Sequence, residues 1–110
     1  MASFERFKYG KFVTRMRTPD RKGTVASFFT YWDGPAFTPS GWNEMAFEIA
    51  PSLEKSPLVT KSVYGDGQRS VLSDQGTLHG FDPHSEWHTY ELEWTPDYIA
   101  YTVDGHEVMH

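Results

Sequence analysis

Between residues 87 and 94 the chain alternates without a break. Trp87, Thr89, Glu91 and Glu93 fall on one side, and His88, Tyr90, Leu92 and Trp94 on the other. A two-residue period belongs to an extended strand and is incompatible with a helix, whose faces recur every 3.6 residues. Turn chemistry follows at once. Thr95-Pro96-Asp97 closes the strand, residues 98–103 form the next, and Asp104-Gly105 is a tight hairpin turn with 106–110 as its return. Asp-Gly suits such a turn because both residues tolerate the positive φ it demands.

The same grammar runs through the rest of the chain. Tyr9-Gly10 reads as a turn into a strand over 11–17, with Phe12, Thr14 and Met16 opposite Val13, Arg15 and Arg17. Thr18-Pro19-Asp20-Arg21-Lys22-Gly23 carries the Pro and Gly signals of a hairpin loop, and a second strand follows over 24–32. It sets Val25, Ser27, Phe29 and Tyr31 against Ala26, Phe28, Thr30 and Trp32. A Gly- and Pro-bearing loop leads to a third strand over 42–49, ended by Ala50-Pro51 because proline cannot donate to a strand ladder. Residues 52–57 are too short, and too tightly bracketed by Pro51 and Pro57, for a helix. Residues 58–64 read as a strand closed by Gly65-Asp66-Gly67, 68–72 as a weaker one, and 79–85 as a loop.

No segment has helical periodicity. Short strands at regular spacing, joined by turns, predict an all-β sandwich or jelly roll, with residues 1–110 as one domain. The pattern stops at a hairpin strand with nothing to pair it. Edge strands are usually managed, so a larger sandwich of which this is a part is expected.

The third strand carries the chemistry. In Trp42-Asn43-Glu44-Met45-Ala46-Phe47-Glu48-Ile49, alternation puts Glu44, Ala46 and Glu48 on one face and Met45, Phe47 and Ile49 on the other. A strand that buries Met, Phe and Ile presents two carboxylates in front. Paired carboxylates are what glycoside hydrolysis uses. A plain solvated outer face gives the same pattern.

Composition narrows the partners. The net charge of −5 disfavours a nucleic-acid role. No apolar run approaches a membrane span. Residues 1–6 lack the apolar core of an export signal, so the protein is cytoplasmic or the chain begins after such a signal. With no cysteine there is no disulfide, thiolate nucleophile or Cys metal site. Aromatic residues are 16% of the chain, enough for both a core and a sugar-stacking surface. Of the five histidines, His79, His84 and His88 invite a metal reading, but without carboxylates at ligand spacing they read as surface residues.

At this point several blocks carry a resemblance. Trp42-Asn43-Glu44-Met45-Ala46-Phe47-Glu48 resembles the active-site strand of glycoside hydrolase family 16, W-[DN]-E-I-D-x-E. Tyr9-Gly10-Lys11-Phe12 is similar to that family's Y-G-x-[FY], and Ser27-Phe28-Phe29-Thr30-Tyr31 to its S-F-F-T-Y. The later W-H-x-Y, E-W-T-P and Y-x-V-D-G run is matched at Trp87, Glu93 and Tyr101 onward. The resemblance implies a concanavalin-like jelly roll and a retaining endo-β-glucanase, secreted, acting on β-1,3/1,4-linked glucan. It implies Glu44 as nucleophile and Glu48 as acid/base, with Trp42, Phe29, Tyr31 and Tyr64 as substrate-binding aromatics. It implies no cofactor beyond a structural calcium in some members. Three residues between the glutamates favour the lichenase- and xyloglucan-enzyme-like branches. A flat strand would set them about 13 Å apart, so twist must bring them to the roughly 5–5.5 Å of a retaining pair.

One position departs. The family has an aspartate midway between the glutamates, and this chain has Ala46. A carboxyl there could hydrogen-bond the nucleophile, so its loss is expected to weaken hydrolysis by about 10²-fold. That keeps two alternatives open: a non-catalytic or weakly active glycan-binding module, and a transglycosylase using the same pair.

Overall fold

The computed structural model describes residues 3, 5–32, 43–50, 58–65, 69–75 and 82–110, with the backbone alone over 58–65 and 69–75. Eight strands follow in chain order. They are β1 (Gly10–Met16), β2 (Ala26–Trp32), β3 (Asn43–Ile49), β4 (Leu58–Gly65), β5 (Arg69–Gln75), β6 (His88–Trp94), β7 (Ile99–Val103) and β8 (His106–Met109). There is no helix among the described residues. The strands form two four-stranded antiparallel sheets, β1-β6-β7-β8 and β2-β3-β4-β5. The all-β expectation holds, and the weaker strand after Gly67 is longer than the sequence suggested.

The core lies between the sheets because each sheet turns its apolar alternate residues inward. β3 contributes Met45, Phe47 and Ile49, β6 contributes Tyr90 and Leu92, and β7 contributes Tyr101 and Val103. Phe47 is the hub: its ring meets Tyr90 edge-on at 5.4 Å and Tyr101 at 5.2 Å. Edge-to-face pairs set the positive ring edge against the negative face of the partner and add to the gain from burial. The β7–β8 turn is as the sequence predicts, with Asp104 at φ 49° and Gly105 at φ 79°.

The segment after β1 behaves differently from its reading as a hairpin loop. β1 pairs along its whole length with β6, from Gly10 opposite Trp94 to Met16 opposite His88, whereas β2 pairs with β3. Residues 17–25 therefore cross from one sheet to the other. Thr18 is buried, and its N–H donates to the Pro83 carbonyl at 2.9 Å. The Pro and Gly signals mark a real turn, closed by Thr24 on the Arg21 carbonyl. They do not say which strands it joins.

The loop before β6 is pinned at both ends. The Asp82 carboxylate accepts from the His84 and Ser85 N–H groups and from the Ser85 hydroxyl. These bonds hold its pKa down at about 2. His84 lies against Thr18, with Nδ1 3.2 Å from both the Thr18 carbonyl and hydroxyl oxygens. His88 is buried, which corrects its reading as a surface residue. Its Nδ1–H donates to Asp104 at 2.5 Å and its Nε2–H to the Asp82 carbonyl at 2.7 Å. A polar ring can enter the core here because both nitrogens are satisfied.

Candidate active site

β3 lies inside its sheet, with β2 on one side and β4 on the other. Its inward face is the core, so its outward face is fixed without further choice. Glu44 and Glu48 are half-buried on that face, with the fully buried Ala46 between them. The register gives each a neighbour on both sides. Glu44 stands between Tyr31 and Val63, Ala46 between Phe29 and Lys61, and Glu48 between Ser27 and Val59. Directly paired residues of an antiparallel ladder share a face.

Phe29 is 52% exposed and Tyr31 51% exposed, so neither is core. Phe29 and Tyr31, two apart on β2, share one face of the sheet with the glutamates. Exposed aromatic rings suit the apolar faces of sugar rings.

The other expected binding residues are not brought to this face in the same way. Trp42 lies outside the described residues, as does the third histidine of the metal reading, His79. Tyr64 sits in β4 opposite Ser70, one residue out of step with Lys61 and Val63. Its register position therefore belongs to the face of Met45 and Phe47, and Val63 holds the position beside Glu44. Lys61, opposite Ala46, is a residue that local pattern does not single out. Its place depends on how β4 is registered against β3, which alternation within either strand cannot tell. Among the described residues no group of three or more His, Asp or Glu side chains could hold a metal ion.

Two half-buried glutamates of β3 thus share one strand face with two exposed aromatic residues of β2. Comparison with known proteins gives the family. The sequence model of Glycosyl hydrolases family 16 matches residues 1–110, and the chain belongs to that family. It is 36% identical over 109 residues to a β-glucanase of Fibrobacter succinogenes, covering 96% of this chain and 30% of the relative. It is 38% identical over 104 residues to a β-glucanase of Acetivibrio thermocellus, covering 93% of this chain and 29% of the relative. The Bacillus licheniformis β-glucanase structure superposes with a TM-score of 0.70 at 29% identity, over 97% of this chain and 47% of that one. A β-1,3-1,4-glucanase (lichenase) structure from a mouse hindgut metagenome gives 0.68 at 32% identity, over 96% of this chain and 47% of that one. The chain thus spans from under a third to about half the length of the proteins it matches. These likenesses place the two sheets in a jelly roll of the family 16 type.

Proposed function

We infer that this chain carries the catalytic strand of a retaining endo-β-glucanase acting on β-1,3/1,4-linked glucan, with residues 1–110 belonging to one sandwich domain. The observation that carries the reading is the placement of Glu44 and Glu48 on the outward face of β3, with the exposed Tyr31 opposite Glu44 and the exposed Phe29 opposite Ala46. The names of the relatives supply the substrate class.

The chemistry follows from two carboxyls with different tasks. A glucan chain lies across the face with a ring stacked on Phe29 or Tyr31, and Trp42 is proposed to extend that surface. The Glu44 carboxylate attacks the anomeric carbon as Glu48 gives its proton to the departing glycosidic oxygen. A bond from Glu44 to the sugar replaces the bond to the leaving chain. Glu48, now ionised, takes a proton from water, whose oxygen displaces Glu44 at the same carbon. Two inversions retain the configuration. A sugar hydroxyl in place of water gives transfer by the same steps. A polymeric glucan cannot enter a cell, so the site of action is extracellular.

Ala46 supports a second reading, a glycan-binding module with little turnover. One experiment separates the two. Mixed-linkage glucan is incubated with the protein and the first reducing ends are followed by NMR. Hydrolysis with β-anomers formed first, lost by at least 10²-fold in Glu48→Gln, supports the enzyme. Binding with no reducing ends supports the module.

A further inference from the structure

The register of β4 on β3 sets Lys61 opposite Ala46, the residue midway between the two glutamates. Glu44 is opposite Val63 and Glu48 is opposite Val59, so Lys61 is the diagonal neighbour of both. Diagonal positions across an antiparallel pair lie roughly 7–8 Å apart, within reach of long side chains. The other flank offers no charge: Ser27, Phe29 and Tyr31 hold the facing positions on β2. On β5 the same row continues through Gln75, Ser73 and Val71, and reaches Arg69 only opposite Gly65, beyond the Glu44 end. Lys61 is therefore the one cationic residue diagonal to both glutamates among the described residues.

Ala46 adds a second observation. Its methyl is fully buried, while the glutamates on either side are half-buried and Phe29 across from it is largely exposed.

We propose that Lys61 is a positioning residue for the Glu44–Glu48 pair. It offsets the repulsion of two like charges on one strand face from the position opposite Ala46. The proposal rests on reading Glu44 and Glu48 as the catalytic pair. Like charges on one strand face repel one another, and an opposite charge diagonal to both relieves this. Where the resembled pattern adds a third carboxylate between the glutamates, this chain has a methyl there and a cation across from it.

The test uses the 110-residue chain with Lys61→Met, which keeps length and removes charge, and Lys61→Arg, which keeps charge. On mixed-linkage glucan, Lys61→Met should lower kcat by about 10²-fold with KM little changed, as expected for misplacement of reacting groups. Lys61→Arg should recover most of that loss. Independently of turnover, Lys61→Met should lower Tm in the parent and leave it unmoved in a Glu44→Gln, Glu48→Gln background. Lys61→Gln repeats both measurements if the methionine variant does not fold. An unchanged kcat in Lys61→Met, or an equal Tm loss in both backgrounds, overturns the proposal. Background-dependent Tm without turnover in any variant supports Lys61 as the charge partner and removes the catalytic reading instead.

Discussion

His88 and Asp104 meet at 2.5 Å across the start of β6 and the β7–β8 turn, joining two chain segments through one buried ring. The other ring nitrogen lies 2.7 Å from the Asp82 carbonyl. The Asp82 carbonyl and an ionised Asp104 both accept, so these contacts favour the imidazolium, with hydrogen on both ring nitrogens. Burial opposes that charge, yet the bonds to Asp104 and the Asp82 carbonyl outweigh it and hold the His88 pKa above the ordinary 6.5. Burial likewise pushes against ionised Asp104, while the Thr89 N–H and His88 bring its pKa below the usual 3.8.

Stability should therefore depend on pH in a defined way. The His88 contribution is complete below its unfolded pKa of about 6.5 and is lost as pH rises through the higher folded value. The Asp104 contribution is present above its unfolded pKa of about 3.9 and is lost as pH falls through the lower folded value. Urea unfolding should show this pair most stabilising between those limits. Asp104→Asn keeps an acceptor for the Thr89 N–H and should cost about 1 kcal/mol at pH 6, a cost that shrinks as pH rises through the raised His88 pKa. A pH-independent loss would contradict the ion pair.

Phe47 is the residue whose truncation should hurt most. It is fully buried and in edge contact with both Tyr90 and Tyr101. Phe47→Ala should cost about 3–5 kcal/mol and Phe47→Leu under about 1.5 kcal/mol, read as shifts in urea midpoint at constant slope.

Phe29 and Tyr31 should behave in the opposite sense. Both are about half exposed on the outward face. Phe29→Ala and Tyr31→Ala should stay within about 0.5 kcal/mol of parent stability. Each should weaken glucan binding by about threefold to tenfold, the equivalent of an aromatic contact, measurable by calorimetry with a mixed-linkage oligosaccharide.

Ala46→Asp sets activity against stability. Restoring the carboxyl should raise glucan hydrolysis, by up to about 10²-fold if it acts like other supporting catalytic groups. Because the methyl it replaces has no exposed surface, it should also destabilise the fold by about 1–3 kcal/mol through overpacking. Rate and unfolding midpoint are measured on the same preparation. No gain in rate would count against a catalytic use for that position.

Much of this arrangement is legible in the sequence because strand alternation is a local property. The faces of β3 and β6, the Asp104-Gly105 turn and the outward pair Glu44 and Glu48 all follow from a period of two. What escapes is everything set by partnership. Thr18 to Gly23 looks like a hairpin loop because a turn within one sheet and a crossover between sheets use the same residues. His88 looks like a surface histidine because Asp104, its charge partner, is 16 residues away. Tyr64 looks like a cleft aromatic until the β4 register sets it out of step with Lys61, whose place opposite Ala46 comes from that same register. A one-residue slip would exchange the two faces of β4, and nothing within the strand fixes that choice.

The proposed function requires Glu44 to be a working nucleophile. A mechanism-based epoxide glycoside of a β-glucan disaccharide is incubated with the protein, which is then digested and read by mass spectrometry. A single ester on Glu44 is expected, slowed in Glu48→Gln and absent in Glu44→Gln. Full glucan binding with no label on Glu44 would contradict the proposed function.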